Sequence, residues 1–179
     1  MHDGELWQEY RQNGEPLYGV GHSRAEFANN DKLCATAHLW IWRHNGAAKE
    51  VFLQKRSMKV EVAPGKYSAT AAGHLNLGET PTGTLVRETT EEIGIAIDPS
   101  RLWYAFSVRQ TGPMHKYREF KHVYLYEYEG DLKANFNDGE AESVEWVSVE
   151  NLKNMFDNGD LARQTSAYYQ QLFACLDKF

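Results

Sequence analysis

GHLNLGETPTGTLVRETTEEIGI, residues 73–95, contains a helix whose two ends are marked in the sequence. Thr80 offers a side-chain oxygen for the N-cap, and Pro81 fits the first helical position, where a missing N–H costs nothing. Gly94 fits the left-handed position just past the end. The spacing predicts a helix from Thr80 to Glu92. Leu85, Thr89 and Ile93 fall on one stripe with Val86 beside them, a face suited to a core. Away from that stripe, Glu88 and Glu92 are four residues apart and Glu88 and Glu91 three, so their side chains are neighbours. Clustered carboxylates repel one another, and in the C-terminal half of a helix they also oppose its dipole. A hard divalent cation held by oxygen ligands would remove that cost. The competing reading is a solvated acidic face with Arg87 and Glu91 as an i,i+4 pair, and the helix alone leaves both open.

Outward from this helix, Leu6 to Gly21 reads as a hairpin turning at Asn13-Gly14. Ser23 can cap a short helix through Asn29, with Glu26 as its capping-box partner. Strand-like runs follow at Cys34 to Arg43, Val51 to Arg56 and Tyr67 to Ala72. The first has apolar residues on both alternations, Leu39 and Ile41 against Trp40 and Trp42, so both its faces are expected to be covered. Ser57 to Lys66, with Pro64-Gly65, reads as a loop. Beyond the helix come strands at Leu102 to Arg109, Phe120 to Tyr128 and Ser143 to Val147, then helices at Val149 to Phe156 and Asp160 to Leu176. Strands and helices do not alternate regularly, so the expected fold class is α+β, a mixed sheet between helices.

A length of 179 residues suits one domain, and 42% hydrophobic residues with five Trp, ten Tyr and eight Phe supply a core. The formal charge of −6 argues against a nonspecific nucleic-acid binder and against a membrane-surface binder. A phosphate-bearing substrate stays open, because divalent cations can stand between carboxylates and an anion. No apolar run approaches the roughly 18 residues of a membrane span. Met1 to Arg11 lacks the basic and apolar parts of a signal peptide, and Cys34 and Cys175 form no disulfide framework or metal spacing. A reduced, cytoplasmic setting is the expectation.

Counted from Gly73, the chain reads G-x5-E-x7-R-E-T-x-E-E-x-G-I. This resembles the Nudix signature, with Thr89 where a bulky aliphatic residue is usual. The resemblance implies an α/β/α sandwich in which the box forms a loop-helix-loop, the whole of residues 1–179 being one domain with an N-terminal hairpin and helix extension over about residues 1–32. It implies that Glu88, Glu91 and Glu92, with the carbonyl of Gly73, bind Mg²⁺ or Mn²⁺, and that Glu79 and Arg87 orient those glutamates. The implied activity is hydrolysis of a phosphoanhydride bond in a small diphosphate-containing metabolite, with a homodimer as a common family assembly.

Val51 to Ser57, Pro64-Gly65 and Ala72-Gly73-His74 further resemble the branch that includes isopentenyl diphosphate isomerase and its hydrolase relatives. That likeness implies substrate contacts from Arg56 and from Lys59, which stands one residue out of register. It also brings in Glu119, matching a glutamate of the isomerases; the wider Nudix resemblance implies a metal-binding or basic glutamate before the late strand, Glu140 ahead of its neighbours Glu142 and Glu145. Isomerisation needs a cysteine where this chain has Ala72, and a metal-binding histidine where it has Cys34, while the isomerase box is degraded and this one is intact. Hydrolysis is therefore favoured over isomerisation, and a noncatalytic binding module is the other alternative. His74, without a partner histidine, is expected to have a structural or hydrogen-bonding role, and His38 and His122 to be packed or at the surface. Trp40, Trp42, Trp103 and Tyr104 could stack on a base but suit a core. Pro99 and Pro113 do not match the proline signatures of other substrate classes, so the group carried by the diphosphate stays open.

Overall fold

The computed structural model describes residues 4–29, 31–111, 116–130, 132–135 and 139–179; Pro113 lies outside them. The chain runs β1 (Leu6–Tyr10), β2 (Pro16–Ser23), α1 (Arg24–Ala28), β3 (Leu33–Asn45), β4 (Ala48–Arg56), β5 (Tyr67–Ser68), β6 (Ala71–His74) and α2 (Pro81–Ile93). A short 3₁₀ turn, Pro99–Arg101, follows. Then come β7 (Trp103–Gln110), β8 (Arg118–Glu127), β9 (Ala141–Ser148), α3 (Val149–Asp157) and α4 (Ser166–Leu176).

The sheet is built on β3. Along one edge β8 runs parallel to it, from Leu33↔Arg118 to Trp42↔Glu127, and β7 adds antiparallel to β8. Along the other edge β3 changes partners: β1 at Leu33, β6 from Thr36 to Leu39, then β4 from Ile41 to Asn45. β9 and β5 extend the sheet from β4. Leu33 to Trp42 is buried without interruption, as the double alternation predicts. Leu39 and Ile41 join Leu85 and Ile93 of α2 in one core, whereas Trp40 and Trp42 join Leu152 of α3 and Tyr168, Leu172 and Leu176 of α4 in the other. The result is a mixed sheet between helical layers, the expected α+β sandwich. Among the described residues, no helix is long and apolar enough to cross a membrane.

Two expectations are corrected. Tyr67 to Ala72 is not one strand but two short ones on different neighbours. Between them Thr70 is fully buried and bridges the point where β3 and β4 diverge: its Oγ1 accepts from Ile41 N (2.9 Å) and donates to Phe52 O (2.5 Å). The last helix starts at Ser166, not Asp160, with Thr165 as N-cap. The preceding backbone is already engaged with Tyr67, which donates to Asp160 O (3.0 Å) and accepts from Ala162 N (2.6 Å), so it cannot enter a helical ladder.

Candidate functional site

The box helix is pinned as its sequence dictates. Thr80 Oγ1 accepts from Gly83 N at 3.1 Å, and Gly94 takes the left-handed conformation at φ 67°. Thr89, the departure from the aliphatic pattern, is fully buried and returns its hydroxyl to Leu85 O at 2.8 Å, so the polar atom costs little on that stripe.

Glu79 and Arg87 form the frame beside the helix. Arg87 donates to both oxygens of Glu79 (Nε 2.8 Å, Nη2 3.0 Å) and to His74 O (3.2 Å). Its Nη1 reaches Glu88 (2.7 Å) and Glu91 (3.1 Å). Glu79 also accepts from Asn76 N (3.0 Å) and Thr84 Oγ1 (2.9 Å). Burial works against ionising Glu79, but the bonds from Arg87, Asn76 and Thr84 hold its carboxyl below the usual range. Burial also disfavours the charge on Arg87, yet its bond to Glu79 and the charges of Glu88 and Glu79 hold it firmly protonated.

Glu88 lies against β6 at Gly73, where a Cβ would stand 1.7 Å from its Oε1. Glycine is thus required by close approach, with the backbone in an ordinary conformation. Glu92 is 4% exposed and accepts from Ala72 N (3.3 Å), whereas the Glu91 side chain is about half exposed. Burial, opposed by Arg87 and reinforced by the charges of Glu91 and Glu140, pushes the Glu88 carboxyl up to about 7. An all-oxygen cluster whose members raise one another's cost of ionisation fits a hard divalent cation.

That pKa has a consequence for the metal-free protein. Between about pH 4.5, the ordinary glutamate value, and about 7, the unfolded chain gives up a proton that native Glu88 keeps, so this residue lowers stability as pH rises through that window. Glu88→Gln will remove that component, an effect at pH 8 on the order of 3 kcal/mol or less. Urea midpoints at pH 5 and pH 8 in a chelator check it, and equal pH slopes for the two proteins would refute it.

A cavity of about 730 Å³ opens beside the helix. Glu88, Glu91, Glu92 and Glu140 lie on its wall, as do Gly73, Arg87, Arg56 and Glu119. Arg56 ends β4 and holds the following loop through Val62 O (2.9 Å). Glu140 sits next to it, because Ser57 N donates to Glu140 O (2.8 Å) where β4 and β9 end together. Lys59 is exposed on the loop and is not part of the cavity wall, and Glu79 stands behind Arg87.

The far wall went largely unread in the sequence. Trp40 Nε1 donates to the Tyr168 hydroxyl (2.9 Å), which lies 2.9 Å from His38 Nδ1, and His38 Nε2 lies 3.3 Å from Thr36 Oγ1. Burial keeps His38 neutral. Thr36 continues to Glu119, which pairs with Lys121 Nζ at 3.1 Å. Burial opposes the charge on Glu119, but Lys121, His74 and Thr36 together hold the carboxyl below its usual range. Glu119 is therefore a buried ion-pair member and not a bare edge-strand carboxylate. The one available signal was the i,i+2 spacing of Glu119 and Lys121, which puts them on one face of β8.

Cys34, His74 and Glu119 offer ligand atoms within 4.8 Å of one another. Lys121 already supplies positive charge to Glu119, so this group differs from the carboxylate cluster of α2, and burial raises the pKa of the Cys34 thiol. His74 is packed flat against Trp7, with ring centres 3.5 Å apart and planes 3° apart, and burial pushes its pKa down to about 4. The expected structural role for His74 takes this form.

Residues 33–168 match the NUDIX domain family model. The chain is 27% identical over 139 residues to an uncharacterized Nudix hydrolase of Clostridium acetobutylicum, covering 76% of this chain and 67% of that protein. It is 34% identical over 103 residues to one of Listeria monocytogenes, covering 58% of this chain and 59% of the relative. It thus spans about three-fifths to two-thirds of the length of these relatives. A solved structure from Deinococcus radiodurans superposes with a TM-score of 0.69 at 18% identity, over 97% of this chain and 98% of that one, a likeness of fold. With the family model matched across most of the chain and the box geometry intact, this protein belongs to the NUDIX domain family.

Proposed function

We propose that this chain hydrolyses a phosphoanhydride bond in a small diphosphate-containing metabolite, with Mg²⁺ or Mn²⁺ held by Glu88, Glu91, Glu92 and the Gly73 carbonyl. The observation that carries the reading is the convergence of those carboxylates with Glu140 on the wall of one cavity that Arg56 also lines. When bound, the metal supplies charge neutralisation on the phosphates and lowers the pKa of water. The chain's own residues do the rest. Arg87 and Glu79 position Glu88 and Glu91 through charge-assisted bonds. Arg56 binds the substrate diphosphate, and Lys59, exposed on the neighbouring loop, is a weaker candidate for the same role. Glu91, Glu92 and Glu140 are the candidates to take a proton from the attacking water. Glu119, held ionised by Lys121, shapes the substrate side of the cavity.

Ala72 lies on the same wall and has no proton to transfer, which supports hydrolysis over double-bond migration. The reading takes residues 1–179 as one catalytic unit acting on a free small molecule in the cytoplasm; a homodimer is compatible with it. The test is phosphate release from a panel of diphosphates with Mg²⁺ and with Mn²⁺. Turnover that a chelator abolishes is expected. No turnover of any member would favour a binding module, and migration of the double bond in labelled isopentenyl diphosphate would favour the isomerase.

A further inference from the structure

We infer that the group carried by the diphosphate is a compact polyhydroxyl, sugar-like moiety that enters the cavity beyond the carboxylates and lies against α4; this rests on the hydrolase reading above. The far end of the cavity combines Trp40, Tyr168 and Tyr169 with several polar side chains. Gln110, His38, Glu119 and Lys121 are each at most 7% exposed, yet all border open volume. Gln164, on the segment leading into α4, aims its amide at the same space, and its Oε1 is buried with no hydrogen-bond donor in the protein. A buried acceptor left without a donor is costly, whereas one that receives a ligand hydroxyl is not. A hydrocarbon tail would leave Gln164 unsatisfied and would also strip water from the Glu119–Lys121 ion pair. A hydroxyl both donates and accepts, so a group with several of them can meet an amide oxygen and an ion pair together.

The aromatic rings nearby do not favour a flat base in that position. The polar edges of Trp40 and Tyr168 are bonded to each other, and one face of His74 is covered by Trp7. Acceptors and donors reaching the space from β7, β8 and the approach to α4 suit a three-dimensional polyol better than a planar ring.

The experiment compares two five-carbon substrates of similar size, ribose 5-diphosphate and isopentenyl diphosphate, by phosphate release with Mg²⁺. The sugar diphosphate is expected to have a kcat/KM at least about tenfold higher. Gln164→Leu is expected to move that ratio toward one, mainly through KM for the sugar diphosphate. A structural defect would lower both substrates together and leave the ratio where it was, which would overturn the role given to Gln164. A wild-type ratio of one or below would overturn the inference itself. If neither compound is turned over, the hydrolase reading is decided separately by the wider diphosphate panel. Calorimetric binding of the same pair in the presence of Mg²⁺ then decides: tighter binding of the ribose compound supports the sugar-like pocket, and equal or weaker binding refutes it.

Discussion

Glu92→Gln will lower metal-dependent phosphate release by about a thousandfold while the protein stays folded. Glu92 is buried against β6 and accepts from the Ala72 amide at 3.3 Å. Glutamine has the same shape and keeps an oxygen for that bond, so packing survives. What disappears is the negative charge, and with it both the strongest donor type for a hard cation and a possible acceptor for a proton from water. The loss should fall on kcat, because the charge removed would serve the metal and the attacking water and not the binding of the group on the diphosphate. Steady-state kinetics with the thermal midpoint measured alongside give the check. A variant that keeps more than about a tenth of wild-type turnover would remove Glu92 from the chemistry.

Gly73→Ala is expected to cost about a hundredfold in activity, through Glu88 and not through the strand. The added methyl would stand 1.7 Å from Glu88 Oε1 and 2.1 Å from its Cδ. The backbone at Gly73 is unstrained, so alanine is tolerated there, and the flexible glutamate is the group that yields. Once displaced, Glu88 leaves the reach of Arg87 Nη1, now 2.7 Å away, and the oxygen cluster loses one of its members. The metal concentration for half-maximal activity should rise along with the fall in rate. Unchanged metal dependence would mean that the seat of Glu88 against β6 does not matter.

What could be read from the sequence was whatever is decided locally. Thr80, Pro81 and Gly94 mark the ends of α2 by their own backbone chemistry, and the carboxylate spacing needs only helical geometry to bring the side chains together. β3 was legible because both of its alternations are apolar. The break at Thr70 was not, since Tyr67 to Ala72 looks continuous until β3 and β4 diverge and require a hydroxyl between them. The start of α4 was misjudged for a related reason: nothing within Asp160 to Gln164 forbids a helix, and the bonds that do so come from Tyr67. The cavity's far wall draws Thr36, Gln110, Lys121 and Gln164 from four separate segments, and no window of sequence contains their meeting. Of the two basic residues that the resemblance brought in, Arg56 lies on the cavity wall and Lys59, three residues on, is exposed on the loop outside it.

The parallel pairing of β3 with β8 also bears on how the site is assembled over time. The carboxylate half is built from β6 and α2, which are adjacent in the chain and close over short loops. The polar half needs Leu33 opposite Arg118, and Gln164 later still. Closing long loops costs chain entropy before any contact repays it, so distant strand pairings form slowly. On these grounds the helix part of the negative cluster, Glu88, Glu91 and Glu92, precedes both Glu140 and the chamber beside it. Until β8 docks, the protein has the means to attract a cation but no enclosed space in which to select what that cation will meet.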